Sequence, residues 1–226
     1  ILERHGIEVK LVNARHVKNV PGRKSDVLDC QWLQQLHTYG LLRGAFRPDA
    51  QVCTLRAYVR QRAMMVRSAA SYIQRMQKAL SQMNLQLHNV VTDITGLTGM
   101  RIIKAILSGE RKPEVLAAMR DRRCKNSVAT IARSLQGSYR PEHLFSLQQA
   151  VEFYEFHQEK ISACDLQILE QLKSFDSQND KPPKNMGEAL QLMSGVNLTS
   201  IDGIDTNTVL KILAEIGTDM SRWKSA

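Results

Sequence analysis

One feature constrains this chain more than any other, a long apolar seam. Val52, Leu55, Val59, Arg62, Val66, Ala69, Ile73, Met76, Leu80 and Met83 recur alternately three and four residues apart, and all but Arg62 are apolar. A repeat of that period held over so many residues predicts a long helix packed along its seam against another helix, as in a coiled coil. No Gly or Pro occurs from Asp49 to Thr95, so the reading runs the helix over residues 48–94, with Pro48 to open it. Arg62 is the one polar seam position and is placed to fix register. The charges of this helix are one-sided: Arg56, Arg60, Arg62, Arg67, Arg75 and Lys78 meet no acid between Ala50 and Thr92. Such a face either follows a phosphate backbone or is a solvated face beside the seam. Tyr58 and Tyr72 lie among the cations, where they either stack on bases or pack beside the seam.

A second long helix is marked by Leu144, Leu147, Val151, Tyr154, Ile161, Ile168, Leu172 and Phe175, with Gln158 and Asp165 interrupting its seam. It is acidic, carrying eight Asp or Glu against two Lys from Glu142 to Asp180. A basic and an acidic helix pair antiparallel within one chain, or each pairs with a second copy. A homo-oligomer joined through the coiled coil is the second of these expectations. Residues 95–176 fill the space with shorter helices, broken by Gly96, Gly99, Gly109 and Gly137, before the acidic helix. Residues 177–187 read as a linker, and a further helical domain begins over 188–226. There "LTSIDGIDTNTVLKILAEIG" predicts two helices around a tight turn at Gly203, the second over Thr206–Ile216 and stopped by Gly217. The outline is that of a helix-hairpin-helix, in which Gly lets backbone N–H groups approach a phosphate. Asp205 opposes that use through its charge and favours a packed structural hairpin.

Residues 1–47 read differently. Ile7, Val9 and Leu11 alternate with Glu8 and Lys10, which predicts a half-buried strand. Five cations then lie from Lys10 to Lys24, among them Lys18, Arg23 and Lys24, with no acid between Glu8 and Asp26. Ser25 is placed to cap a helix that Gly40 ends. Its first turn holds Asp26 and Asp29, three apart and so on one face. Hard oxygen ligands at that spacing can hold Mg²⁺, and two such ions could activate the attacking oxygen and stabilise the leaving one at a phosphodiester held by Arg23 and Lys24. The alternative is plain capping, acids offsetting the helix dipole.

The bulk properties narrow the partners. A net charge of +9 over 226 residues and a pI near 9.6 favour a polyanion such as nucleic acid. Cys30, Cys53, Cys124 and Cys164 form no CxxC pair, which fits a reducing cytoplasm better than a zinc site or disulfide framework. Cys30 has no adjacent base, and the six scattered histidines form no ligand spacing. No run approaches the roughly 18 apolar residues that span a bilayer, and no signal peptide is visible. The opening "ILERHGIEVKL" and closing "DMSRWKSA" both read as cut, so a segment of a longer protein is expected.

Taken together, "LVNARHVKNVPGRKSDVLDCQWLQQLHTYGLLRGAF", the long basic helix and the late "LTSIDGIDTNTVLKILAEIGTDMSRW" resemble, in order, the insertion-sequence-110 family of bacterial transposases. The resemblance implies an amino-terminal RuvC-like domain, an RNase H fold with a D-E-D-D metal tetrad, in which Asp26 and Asp29 match the third and fourth acids. It therefore tips the aspartate pair from capping towards metal. It also implies a carboxy-terminal transposase domain with a Ser nucleophile, a role that none of Ser194, Ser200 or Ser225 matches. Multimers acting on DNA with a structured guide RNA, and Mg²⁺ as cofactor, follow from the same resemblance. The first two acids would lie upstream of Ile1 and the Ser region beyond Ala226, so this stretch alone is expected neither to cut nor to join DNA. The expected fold is α+β and mostly α-helical: a partial RNase H-like domain over 1–47, long coiled-coil helices, and the start of a helical transposase domain. Lys18, Arg23, Lys24, Arg56, Arg60, Arg67, Arg75 and Lys78 are the candidate nucleic-acid contacts. Two other readings stand beside it: a non-enzymatic, dimerising nucleic-acid-binding protein whose acids only cap a helix, and a junction-resolving nuclease of the same fold.

Overall fold

The apolar seam needs a partner, and in the computed structural model, which describes residues 2–18, 26–175 and 183–221, it finds one in the same chain. The helices are α1 (Ala14–Lys18), α2 (Asp26–Thr38), α3 (Ala50–Gln82), α4 (Leu97–Leu107), α5 (Pro113–Ala118), α6 (Val128–Ser134), α7 (Pro141–Lys173), α8 (Met186–Ser194) and α9 (Thr206–Ile216). The basic α3 and the acidic α7, each 33 residues long, run antiparallel. Gln171 Nε2 donates to the Gln51 carbonyl at 3.4 Å near one end, Arg62 pairs with Asp165, and Tyr72 stacks on Phe153 with centroids 5.0 Å apart towards the other. The two polar interruptions of the seams, Arg62 and Asp165, thus meet each other. Apart from Val66, which is 42% exposed, the seam is largely covered within the chain, so these contacts give no basis for a coiled-coil homo-oligomer.

α3 starts where Asp49 caps it, its carboxylate accepting from the Val52 N–H at 2.8 Å. It stops well short of the expected residue 94. Asn84 takes a left-handed conformation, φ 57°, which Asn tolerates better than most residues. Tertiary burial overrides propensity here: Leu85, Leu87, Val90, Val91 and Ile94 are all buried, and a straight continuation would have carried them past the core they fill.

Two cores form on this helix pair. At the tip, Met76, Leu80 and Met83 of α3 and Leu147 and Val151 of α7 pack against Ile102, Ile103 and Ile106 of α4, Leu116 of α5 and Ile131 of α6. α4, α5 and α6 therefore form a cap that joins the two long helices. Two glycines permit backbone approaches in it. A Cβ on Gly137 would lie 2.2 Å from the Met83 carbonyl oxygen, and one on Gly99 2.2 Å from that of Ile94. At the base, Leu55 and Val59 of α3 and Ile168 and Leu172 of α7 share a core with Leu190 of α8 and Val209, Leu210 and Leu213 of α9. α8 opens within the expected linker, capped by Asn185, and with α9 joins the helix pair rather than standing apart from it; residues 177–182 lie outside the described residues.

The strand expected over Ile7, Val9 and Leu11 is not formed. Those side chains are all exposed, and the backbone makes one antiparallel bridge, Val12 to Gly44, with the Ala45 N–H donating to the Leu11 carbonyl at 2.7 Å. An alternating strand buries its apolar face only against a sheet or a covering layer, and this segment meets neither. The mostly helical part of the expected fold class is present; the RNase H-like sheet is not formed among the described residues.

Candidate functional site

Asp26 is the first residue of α2, so Asp26 and Asp29 lie one helical turn apart on one face. The Asp29 carboxylate is exposed. The Asp26 carboxylate, the Lys18 ammonium, Arg23 and Lys24 lie outside the described residues, as does the expected cap Ser25. Among the described residues no three His, Cys, Asp or Glu side chains converge on one point. A hard divalent cation demands several converging oxygens, so the residues described here do not by themselves fit Mg²⁺. Among the described side chains of α2 none lies in either core, and Leu36 is the one that is buried.

The cationic face of α3 is described fully. At about 100° per residue, Arg56, Arg60, Arg67, Arg75 and Lys78 fall within roughly one third of the helix circumference. The structure divides them. Arg56 Nε donates to the Ala214 carbonyl at 3.1 Å and also lies 3.3 Å from the Glu215 carboxylate. Arg60 grips the same carboxylate with two bonds, 2.9 and 2.8 Å. The Arg60 hydrogen bonds hold the Glu215 carboxyl below the usual carboxylate range, and Glu215 in turn raises the guanidinium's pKa. These two arginines therefore staple α9 to α3. The acid that the helix lacks locally is supplied from more than 150 residues away. Arg67, Arg75 and Lys78 are exposed. Arg67 Nε donates to the Ala63 carbonyl of its own helix at 3.3 Å, and the Arg75 guanidinium sits 4.9 Å over the Tyr72 ring. Tyr72 is stacked on Phe153 and Tyr58 packs against the base core, so both tyrosines take the packing role.

In the late hairpin, Gly203 turns with φ +82° and α9 spans Thr206–Ile216, ended by Gly217 at φ +74°. Asp205 caps it, accepting from the Thr208 N–H at 2.7 Å. That carboxyl is held below its ordinary range chiefly by Thr208. Its charge occupies the helix N-terminus that a phosphate would need.

The tip holds a cationic region that seam-by-seam reading missed. From Thr95 to Arg140 there are ten Lys or Arg against three Asp or Glu, a net of +7 within a chain of +9. A charge count by segment would have found it.

A family described as a transposase, the DEDD transposases of insertion-sequence-110 type, matches residues 1–85, the stretch that holds the two aspartates at the head of α2 and the long basic helix. Over residues 1–85, under half of its length, the chain is similar to that family. The matched stretch takes in α1, α2 and the whole of α3, and it ends beside Asn84, where α3 gives way to the tip. No curated protein and no solved structure matches the chain.

Proposed function

We propose that the chain acts in DNA strand exchange during movement of an insertion sequence, with Asp26 and Asp29 contributing two of the four carboxylates of a DEDD metal site and the outward cations of α3 holding nucleic acid. The observation that carries this reading is the family match, which spans both the aspartate pair and the basic helix. Mg²⁺, when bound, would supply Lewis-acid stabilisation of charge at a phosphodiester. The chain's own part is to hold two carboxylates one turn apart at the head of α2 and to present Arg67, Arg75 and Lys78 to a backbone. Arg23, Lys24 and Lys18 belong to the same proposed contact. A structured guide RNA and action as a multimer in the cytoplasm complete the reading. No helix among the described residues is long and apolar enough to cross a membrane.

The test replaces Asp26→Asn and Asp29→Asn together in a full-length transposase that contains this stretch and measures recombination between donor and target plasmids, alongside Mn²⁺ binding by calorimetry. Loss of strand exchange should exceed the roughly 10–100-fold that changes outside the ligand set cost, with the melting temperature unchanged. Wild-type recombination with an unaltered Mg²⁺ requirement would return the aspartates to capping and favour a non-enzymatic nucleic-acid-binding role.

A further inference from the structure

We propose that the loop joining α5 to α6, residues 119–127, is a built contact for the sugar–phosphate backbone of duplex nucleic acid, presenting Arg122, Arg123 and Lys125. The proposal deepens the nucleic-acid part of the proposed function and rests on it, but uses neither aspartate of α2.

The loop divides its polar residues into those that hold it and those that point away. Arg120 folds inward, its Nη1 donating to the carbonyls of Cys124 and Asn126, both at 2.9 Å. Asn126 Nδ2 donates to the Val90 carbonyl at 2.8 Å, tying the loop to the turn after α3. The Asp121 N–H donates at 2.9 Å to the hydroxyl of Thr98, a buried residue in the first turn of α4. The Asp121 carboxylate accepts from the Arg123 N–H at 3.0 Å and closes the turn. Arg122, Arg123 and Lys125 take no part in holding the loop through their side chains beyond the exposed pair of Arg123 with Asp121, in which the Arg123 side chain is 81% exposed. Arg101 of α4 is exposed and close enough to help hold the Asp121 carboxyl below its ordinary range, so a fourth cation shares this corner.

The alternative is a solvated charged face, and the one-sided charge of a loop held in place from inside argues against it. Other cations of the tip are already committed: Lys104 to Glu155 at 2.6 Å, Arg140 to Glu142 at 2.9 Å, and Arg111 over the Tyr139 ring at 4.7 Å. Arg122, Arg123 and Lys125 face solvent, as do Arg101, Lys112 and Arg133 elsewhere on the tip, and within the loop Asp121 alone opposes them. A surface that serves only solubility mixes its signs. A rigid loop of guanidinium groups instead suits phosphate oxygens, which Arg binds through a planar fork. Such contacts position a duplex without reading its sequence.

The experiment measures fluorescence anisotropy of 30-base-pair duplex DNA and duplex RNA of unrelated sequences against the chain over a range of salt. The variant R122Q/R123Q/K125Q should weaken binding by about tenfold or more near physiological salt. It should also lower the slope of log K against log salt by about two to three, at roughly 0.9 per lost phosphate contact on DNA. R122K/R123K, which keeps the charge, should retain most of the slope, and both variants should melt as the unaltered chain does. Preference for DNA or for RNA identifies the source of the phosphate and supports the proposal either way. Unchanged affinity and slope in the glutamine variant, with the unaltered chain binding duplex, overturns the loop's role and leaves the α3 contact standing, which R67Q/R75Q/K78Q tests separately. If the unaltered chain binds neither duplex, the loop proposal and the nucleic-acid reading beneath it both fall.

Discussion

Residues 2–47 and residues 50–216 obey different rules. The first stretch bears the aspartate pair, yet neither core holds any of its described residues. Of its α2 side chains described, Leu36 alone is buried. The second stretch has two closed cores on one antiparallel pair and few residues with a chemical assignment. The two described cores and the proposed metal ligands are therefore housed apart. A segment whose apolar residues stay exposed, such as Ile7, Val9 and Leu11, contributes little hydrophobic stabilisation of its own.

That separation can be broken by measurement. The largest effect is expected in the tip core: Leu80→Ala, at a fully buried position, should cost about 2–5 kcal/mol in urea unfolding, while Leu33→Ala on α2, 38% exposed, should cost under about 1 kcal/mol. Comparable losses at the two sites would show that α2 is held as firmly as the tip. Gly137→Ala comes next. Its Cβ would meet the Met83 carbonyl at 2.2 Å, so a backbone shift costing about 1–3 kcal/mol is expected, and a neutral result would mean that the chain does not pass so close there.

The Arg62–Asp165 pair sharpens the comparison further. Removing one partner as Arg62→Ala should cost about 1–3 kcal/mol by stranding a partly buried charge, whereas Arg62→Leu with Asp165→Leu should be near neutral. A double variant as unstable as the single one would make the pair essential to stability rather than to alignment. Smaller still is Arg60→Gln at the base, expected to cost about 1 kcal/mol or less for so exposed a pair. Because the folded Glu215 carboxyl lies below its ordinary range, this contribution is complete above the unfolded carboxylate value of about 4.3 and disappears as pH falls through the folded value. Melting curves of the two proteins should therefore converge in acid; a difference that grows there contradicts the pairing. Last, Asp29→Asn should leave stability within about 0.5 kcal/mol.

Periodic features were legible in advance. The α3 seam, the charge contrast between α3 and the acidic helix, and the bounds of α9 follow from local spacing and from Gly217, whereas the pairing within one chain was left open between two alternatives. What escaped was non-local. The end of α3 depends on burial of Leu85 and Leu87 in a core assembled by three later helices, and its stop signal is an Asn rather than the Gly or Pro usually sought. Arg56 and Arg60 read as free cations because Glu215 is distant in sequence. Alternation at Ile7, Val9 and Leu11 is a true pattern, but a strand exists only by virtue of what lies beside it. In the aspartate pair, residue type and spacing were visible, while convergence of further ligands is a property no linear spacing encodes.

The antiparallel helices have one further consequence. At 1.5 Å per residue α3 runs about 50 Å, and α7 returns the chain to the level from which it set out. The loop carrying Arg122 and Arg123 is thereby mounted on a boom, about fifteen base-pair steps of 3.4 Å from the end where α3 begins. Between the outward Arg67 and the end of α3 at Gln82 lie about 22 Å, roughly six to seven base-pair steps, so the length of this arm would act as a ruler for the footprint.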